Sequence, residues 1–142
     1  MVITMENIII NKADEINQIN DLIHDCWFDI NSINTDDNTF KLYFTRYLET
    51  RKRLLKNSFL FKQFEIPGIE CVLEIHEVKS YEISDTEKVQ FYDFNELVFD
   101  QGTNTILVRT GIPLSIKIEV SSLKISAKIT DKVISNKKIW GF

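Results

Sequence analysis

At 142 residues the chain has the length of one ordinary domain, enough to bury a single core and too short for two. Apolar types make up 44% and charged types 27%, a globular mixture that excludes wholesale disorder, collagen-like repeats and a membrane bundle. The formal charge of −4 is unevenly spread: residues 1–40 sum to −7, 41–62 to +6, 63–100 to −8 and 101–142 to +5.

The N-terminal stretch Met1 to Ile10 has no basic segment, carries Glu6 and reaches only three consecutive apolar residues, so it reads as a short strand or arm and not as a signal or span. Cys26 and Cys71 make no disulfide framework, which leaves a soluble protein of the cytosol with reduced thiols as the expectation. An amphipathic helix is predicted over about 12–28. Ile16, Ile19, Ile23, Cys26 and Trp27 recur at spacings of three and four, Asn11 is a natural N-cap, and Asp14 favours the first turn.

From Asp29 the pattern becomes β. Phe28 to Ile33, a polar turn over Asn34 to Asn38, and Thr39 to Thr45 read as a hairpin. Residues 46–57 fit a helical turn or a charged loop entering a strand equally. Phe59 to Ile66 and Glu70 to Ile83 read as paired strands, with Pro67 and Gly68 at the centre of a type II turn. Residues 85–94 fit neither period. Glu96 to Phe99 and Thr105 to Thr110 make a second hairpin. Leu114, Ile116, Ile118 and Val120 alternate on even positions, and Leu123, Ile125, Ala127 and Ile129 on odd ones, so a turn or bulge belongs at Ser121-Ser122. The predicted fold is α+β and predominantly β: a single domain over 1–142, one N-terminal helix packed on a curved or closed antiparallel sheet of about seven strands ending near residue 130.

The four glycines are isolated and build no phosphate-cradling loop, and the two His and two Cys have no metal-ligand spacing, so neither cofactor nor metal is expected. Asp21, His24 and Asp25 form a polar cluster at the end of the helix, which would serve a small-ligand protein or an enzyme if their side chains converged in a cleft. His76 shares a strand face with Glu74, whereas Cys71 falls on the opposite face, which disfavours a thiol–imidazole pair. Arg46, Arg51, Lys52, Arg53 and Lys56, flanked by Tyr43, Phe44, Tyr47, Phe59 and Phe61, mix cations with aromatics as single-strand nucleic-acid binders do. With a sequence pI near 5.2 and acidic stretches on both sides a nucleic-acid role is disfavoured, and the same patch could equally contact an acidic protein, a reading the sequence does not separate from it.

One helix ending in His24-Asp25-Cys26-Trp27 and running straight into an antiparallel meander resembles small bacterial helix-plus-sheet proteins, some of them immunity-like. The segments Ser80 to Glu87 and Tyr92 to Leu97 share that character. The resemblance implies a cytosolic, non-enzymatic protein that binds and neutralises a partner, and it carries over no site residues. The leading expectation is therefore an interaction module for a basic protein partner, contacted through Glu74, Glu77, Glu82, Asp85 and Glu87, with no membrane partner.

Overall fold

The computed structural model describes residues 7–48 and 51–141. Strand β1 (Asn7–Ile10) leads into a 3-10 turn (Ala13–Glu15) and helix α1 (Ile16–Ile23). The helix then stops short of its predicted end. Its apolar face is Ile19, Leu22 and Ile23, all buried, and Asp25 adopts a left-handed φ of 64°, which reverses the chain and delivers Trp27 and Phe28 to a strand. At the other end Glu15 is the N-cap of the helix and Lys12 that of the 3-10 turn before it, not Asn11, and the Glu15 carboxylate accepts the Asn11 and Lys12 amides at 3.3 and 3.1 Å.

Ten strands follow: β2 (Trp27–Asp29), β3 (Asn34–Asp36), β4 (Thr39–Tyr47), β5 (Arg53–Asn57), β6 (Lys62–Ile75), β7 (Val78–Ser84), β8 (Phe91–Asp100), β9 (Thr105–Thr110), β10 (Ser115–Val120) and β11 (Ile125–Gly141). The described residues thus hold eleven strands and not about seven. All pair antiparallel in the order β1-β11-β6-β4-β2-β8-β9-β10-β7, with β3 added to β4 and β5 to β6. The edge strands β1 and β7 do not pair with each other, so the sheet is curved and open.

The sheet doubles back through β8. Its first residues pair with β2, then a register shift between Phe94 and Glu96 turns the strand and its remainder pairs with β9. Where β2 ends, the helix takes over: the Asn20 carboxamide donates to the Leu97 carbonyl at 3.1 Å and accepts the Leu97 amide at 2.7 Å, imitating a strand neighbour. The far edge curls round until Tyr81 of β7 meets Phe40 of β4 edge-on at 5.6 Å and the Val78 amide donates to the Asn38 carbonyl at 2.8 Å. Between the two halves lies the core, with Phe28, Phe40, Leu42, Phe44, Leu73, Phe94, Ile106 and Ile118 fully buried.

Two turns fall where the sequence places them, the β8–β9 and β10–β11 connections at Asp100–Asn104 and Ser121–Ser122; of the predicted Asn34–Asn38 turn only Asp37 and Asn38 turn, because Asn34–Asp36 pair with β4 as strand β3. The Pro67-Gly68 turn does not exist. Lys62–Ile75 is one strand, and Pro67 is tolerated in it because of where it falls. Its carbonyl side faces the gap between the last β4 pair, Tyr47 with Gly68, and the first β5 pair, Arg53 with Glu65, so the missing N–H costs no ladder bond. The break comes later, at His76 and Glu77, where Glu77 takes a φ of 57° and divides the predicted Glu70 to Ile83 strand into β6 and β7. The predicted strand over Phe28 to Ile33 shortens to β2 followed by a 3-10 turn at Ile30–Ser32, with the Asp29 carboxylate accepting the Asn31 amide at 2.8 Å.

Candidate interaction surface

Beyond the core, β6 and β11 continue as a projecting arm. From Lys62 to Ile66 and Val133 to Gly141 they stay paired, and β5 adds a third strand; Ile66 and Gln63 are buried there, but neither belongs to the main core. Two register shifts in β11, between Ile129 and Val133 and between Val133 and Ser135, mark where body becomes arm. The arm holds much of the exposed apolar surface: Phe59 is 99% exposed, Leu60 70% and Trp140 60%, with Leu54, Leu55, Phe61, Val133 and Ile134 also open. Clustered apolar exposure of this kind is uncommon on a monomeric surface and marks contact sites. Phe61 and Trp140 meet edge-on at 4.8 Å across the tip.

Cations surround these residues. Segments 51–66 and 132–141 carry eight bases and one acid, a formal +7, while the rest of the chain carries nine bases and twenty acids, −11. The single acid is already engaged, since Arg53 bridges Glu65 at 3.1 Å. Lys52 Nζ lies 4.6 Å from the Phe64 ring centroid and Lys137 Nζ 5.4 Å from that of Tyr47, which holds two cations against aromatic faces. At the base of the arm, Arg51, Arg53, Glu65, Pro67, Val133 and Asn136 line a cleft of about 440 Å³.

The acidic residues singled out in the sequence do not share a face. Glu74 points outward from β6, 3.6 Å from Lys41 and 3.7 Å from His76, whose Nε2 lies 3.1 Å from Ser126 Oγ. Glu82 points outward from β7 on the other half of the doubled sheet, beside Lys117 in the register. Because the two halves pack core to core, these carboxylates face away from each other. Glu77 sits in the β6–β7 turn, and Asp85 and Glu87 in the β7–β8 connection. There Asp85 accepts the Tyr92 hydroxyl and the Lys88 amide, and burial together with this bond raises the Tyr92 phenol above its ordinary range.

The helix-end cluster is brought no closer to a site. Asp21, His24 and Asp25 are all exposed, His24 and Asp25 by 64% and 87%, and their 3.6 Å contact lies in solvent outside every cleft described here. Both thiols lie in the core. Burial pushes Cys26 and Cys71 up to about 12, so at neutral pH neither presents a thiolate. As read from the sequence, Glu74 and His76 share a face and Cys71 turns inward, away from them.

Half of the arm was visible in the sequence as the basic run with flanking aromatics. Phe44 belongs to the core and not to that patch, and the second half, Lys132 to Trp140, carries no strand signal strong enough to extend the sheet past residue 130. Among the described residues no helix is long and apolar enough to cross a membrane. Comparison with protein-family models, curated proteins and solved structures finds no match to this chain.

Proposed function

We propose that this protein is a cytosolic, non-catalytic interaction module and that its contact surface is the β5–β6–β11 arm. The observation that carries this is the joint placement of exposed aromatic anchors and a +7 charge on one three-stranded projection outside the main core. Interfaces draw their affinity from a few aromatic and cationic residues set in desolvated surroundings, and Trp140, Phe59, Phe61 and Arg53 are of those types. The partner this surface fits is a protein with an acidic rim around an apolar patch, because opposite charge steers encounter and the rings supply the buried area. This reverses the charge expected of the partner from the acidic total alone. In the immunity-like form of the reading, binding also lowers the partner's own activity.

The test uses the full chain as bait in native lysate at low and moderate salt. The captured protein is identified, purified and titrated against the wild type, Trp140→Ala with Phe59→Ser, and Glu74→Lys with Glu82→Lys. A stoichiometric acidic partner is expected, weakened by salt, losing more than roughly tenfold in affinity with the arm variant and little with the acid reversals. A partner that keeps its affinity for the arm variant and loses it for the acid reversals would overturn the assignment.

A further inference from the structure

A second site lies on the outer face of the sheet, beside the base of the arm. There β2 presents Trp27 and Asp29, β4 presents Tyr43 and Thr45, β6 presents Glu70 and β8 presents Phe91. These residues line a cleft of about 200 Å³, and Ile134 closes one side from the irregular stretch of β11. Trp27 and Phe91 stand edge to face, 5.5 Å apart at 74°, so their planes form two walls of a corner, and Tyr43 adds a third ring. Two carboxylates, with Ser32 and Thr45, border a mostly apolar surface, and among the described residues no Lys or Arg lines it. The Asp29 carboxylate is held in place by the Asn31 amide at 2.8 Å and the Gln90 side-chain amide at 3.0 Å. The Glu70 carboxylate has no salt bridge or hydrogen bond to any other described residue.

We propose that this cleft binds a methylated ammonium group. Three aromatic rings offer negative faces to a cation, and two carboxylates add to the same field. A neutral apolar ligand would cover the carboxylates and give them nothing in return. A primary ammonium is matched less well for a different reason: it carries three N–H donors, Glu70 can accept from it, but the rings offer no lone pairs to the remaining donors and both Asp29 oxygens already accept a bond. A quaternary or trimethylated nitrogen has no donors to satisfy and spreads its charge over methyl groups that rest against rings. The volume agrees, lying below the range of roughly 300–1,000 Å³ typical of drug-sized ligands. Such a head group arrives either on a free small molecule or on a methylated lysine side chain.

Trp140→Phe leaves Trp27 as the sole indole, so its fluorescence reports on the cleft. In that background the protein is titrated with tetramethylammonium, choline, the uncharged choline isostere 3,3-dimethylbutan-1-ol and a short trimethyllysine peptide. Saturable binding of the cations is expected, with the isostere at least tenfold weaker. Glu70→Gln and Phe91→Ala each weaken cation binding roughly three- to tenfold. Phe91 is half exposed and Glu70→Gln is isosteric, so both variants keep the fold, which circular dichroism checks. Tighter binding of the peptide assigns a protein side chain as the source, and tighter binding of choline assigns a free ligand. No saturable response to any cation, equal binding of the isostere, or cation affinity unchanged in both variants would overturn the proposal.

Discussion

Strands β6 and β11 stay paired from Lys62 to Ile75, yet the two halves of this ladder stand in different surroundings. In the body half, Ile69, Cys71, Leu73 and Ile75 point inward beside Ile125, Ala127 and Ile129, and all are buried under the second half of the sheet. In the arm half the ladder continues through Phe64 with Ile139 and Gln63 with Trp140, outside the main core. Hydrogen bonding carries the strands past the point where burial stops. The lesson is that apolar side chains on the same two strands have different roles: those of the body hold the fold, and those of the arm remain available for a partner.

The most direct way to break this comparison is to truncate one aromatic of the body and one of the arm. Phe94 is fully buried, with its ring centroid 4.6 Å from Phe28 and 5.5 Å from Phe44, and Phe94→Ala should cost about 3–5 kcal/mol in urea unfolding. Trp140→Ala should cost less than about 1 kcal/mol, because its ring is mostly in water already and loses only the edge contact with Phe61. Equal losses would mean that the arm is part of the core.

A smaller effect sharpens the description of the body. Asn20 is the hinge pin between helix and sheet, and Asn20→Ala leaves both backbone groups of Leu97 without their partner, at a cost of about 1–3 kcal/mol. Asn20→Asp keeps an acceptor for the Leu97 amide and loses the donor to its carbonyl, so it should fall between wild type and alanine. If aspartate is no better than alanine, the amide bond of Leu97 contributes little.

What the sequence revealed follows the same division. Strict alternation made β10 and the start of β11 legible, because Ile116, Ile118, Val120, Ile125, Ala127 and Ile129 report a buried face directly. In the arm this signal fails. The main core does not reach over these residues, so Lys132 to Trp140 shows no regular alternation, although its backbone is paired with β6 without interruption from Ser135 onward. Pro67-Gly68 misled for a local reason, since the turn reading has no access to the gap between β4 and β5 that lets proline sit in a central strand. Short β2 was hidden in the helix because Trp27 continues the helical stripe, and the left-handed Asp25 that separates them has no distinctive spelling. The site residues suffered most. The acidic set was adjacent in sequence, but doubling the sheet put Glu74 and Glu82 on opposite sides, whereas the cleft draws Trp27, Tyr43, Glu70 and Phe91 from four strands.

The smallest effect belongs at the joint between the two halves, where Gly68 separates body from arm. Its φ is not in the left-handed region, so the reason for glycine is room and not backbone freedom. A Cβ at this position would overlap Ser135 Oγ, lie 2.9 Å from Thr45 Cγ2 and 3.1 Å from Tyr47 Cε1, which leaves the β4–β6–β11 ladder no lateral slack. Gly68→Ala should therefore destabilise by about 1–2 kcal/mol through overpacking. Ser135 supplies the internal control, because its hydroxyl is buried with no hydrogen-bond partner among the described residues. Ser135→Ala alone should be neutral or slightly stabilising, since it removes an unsatisfied polar atom. Combined with Gly68→Ala it should also relieve the closest overlap, so the double variant should be more stable than the sum of the two singles predicts. Additivity would mean that the strain sits at Thr45, on the β4 side, and that β11 can move to make room. Coupling would show that the arm strand is locked to the body at this residue, which fixes where the projecting surface begins.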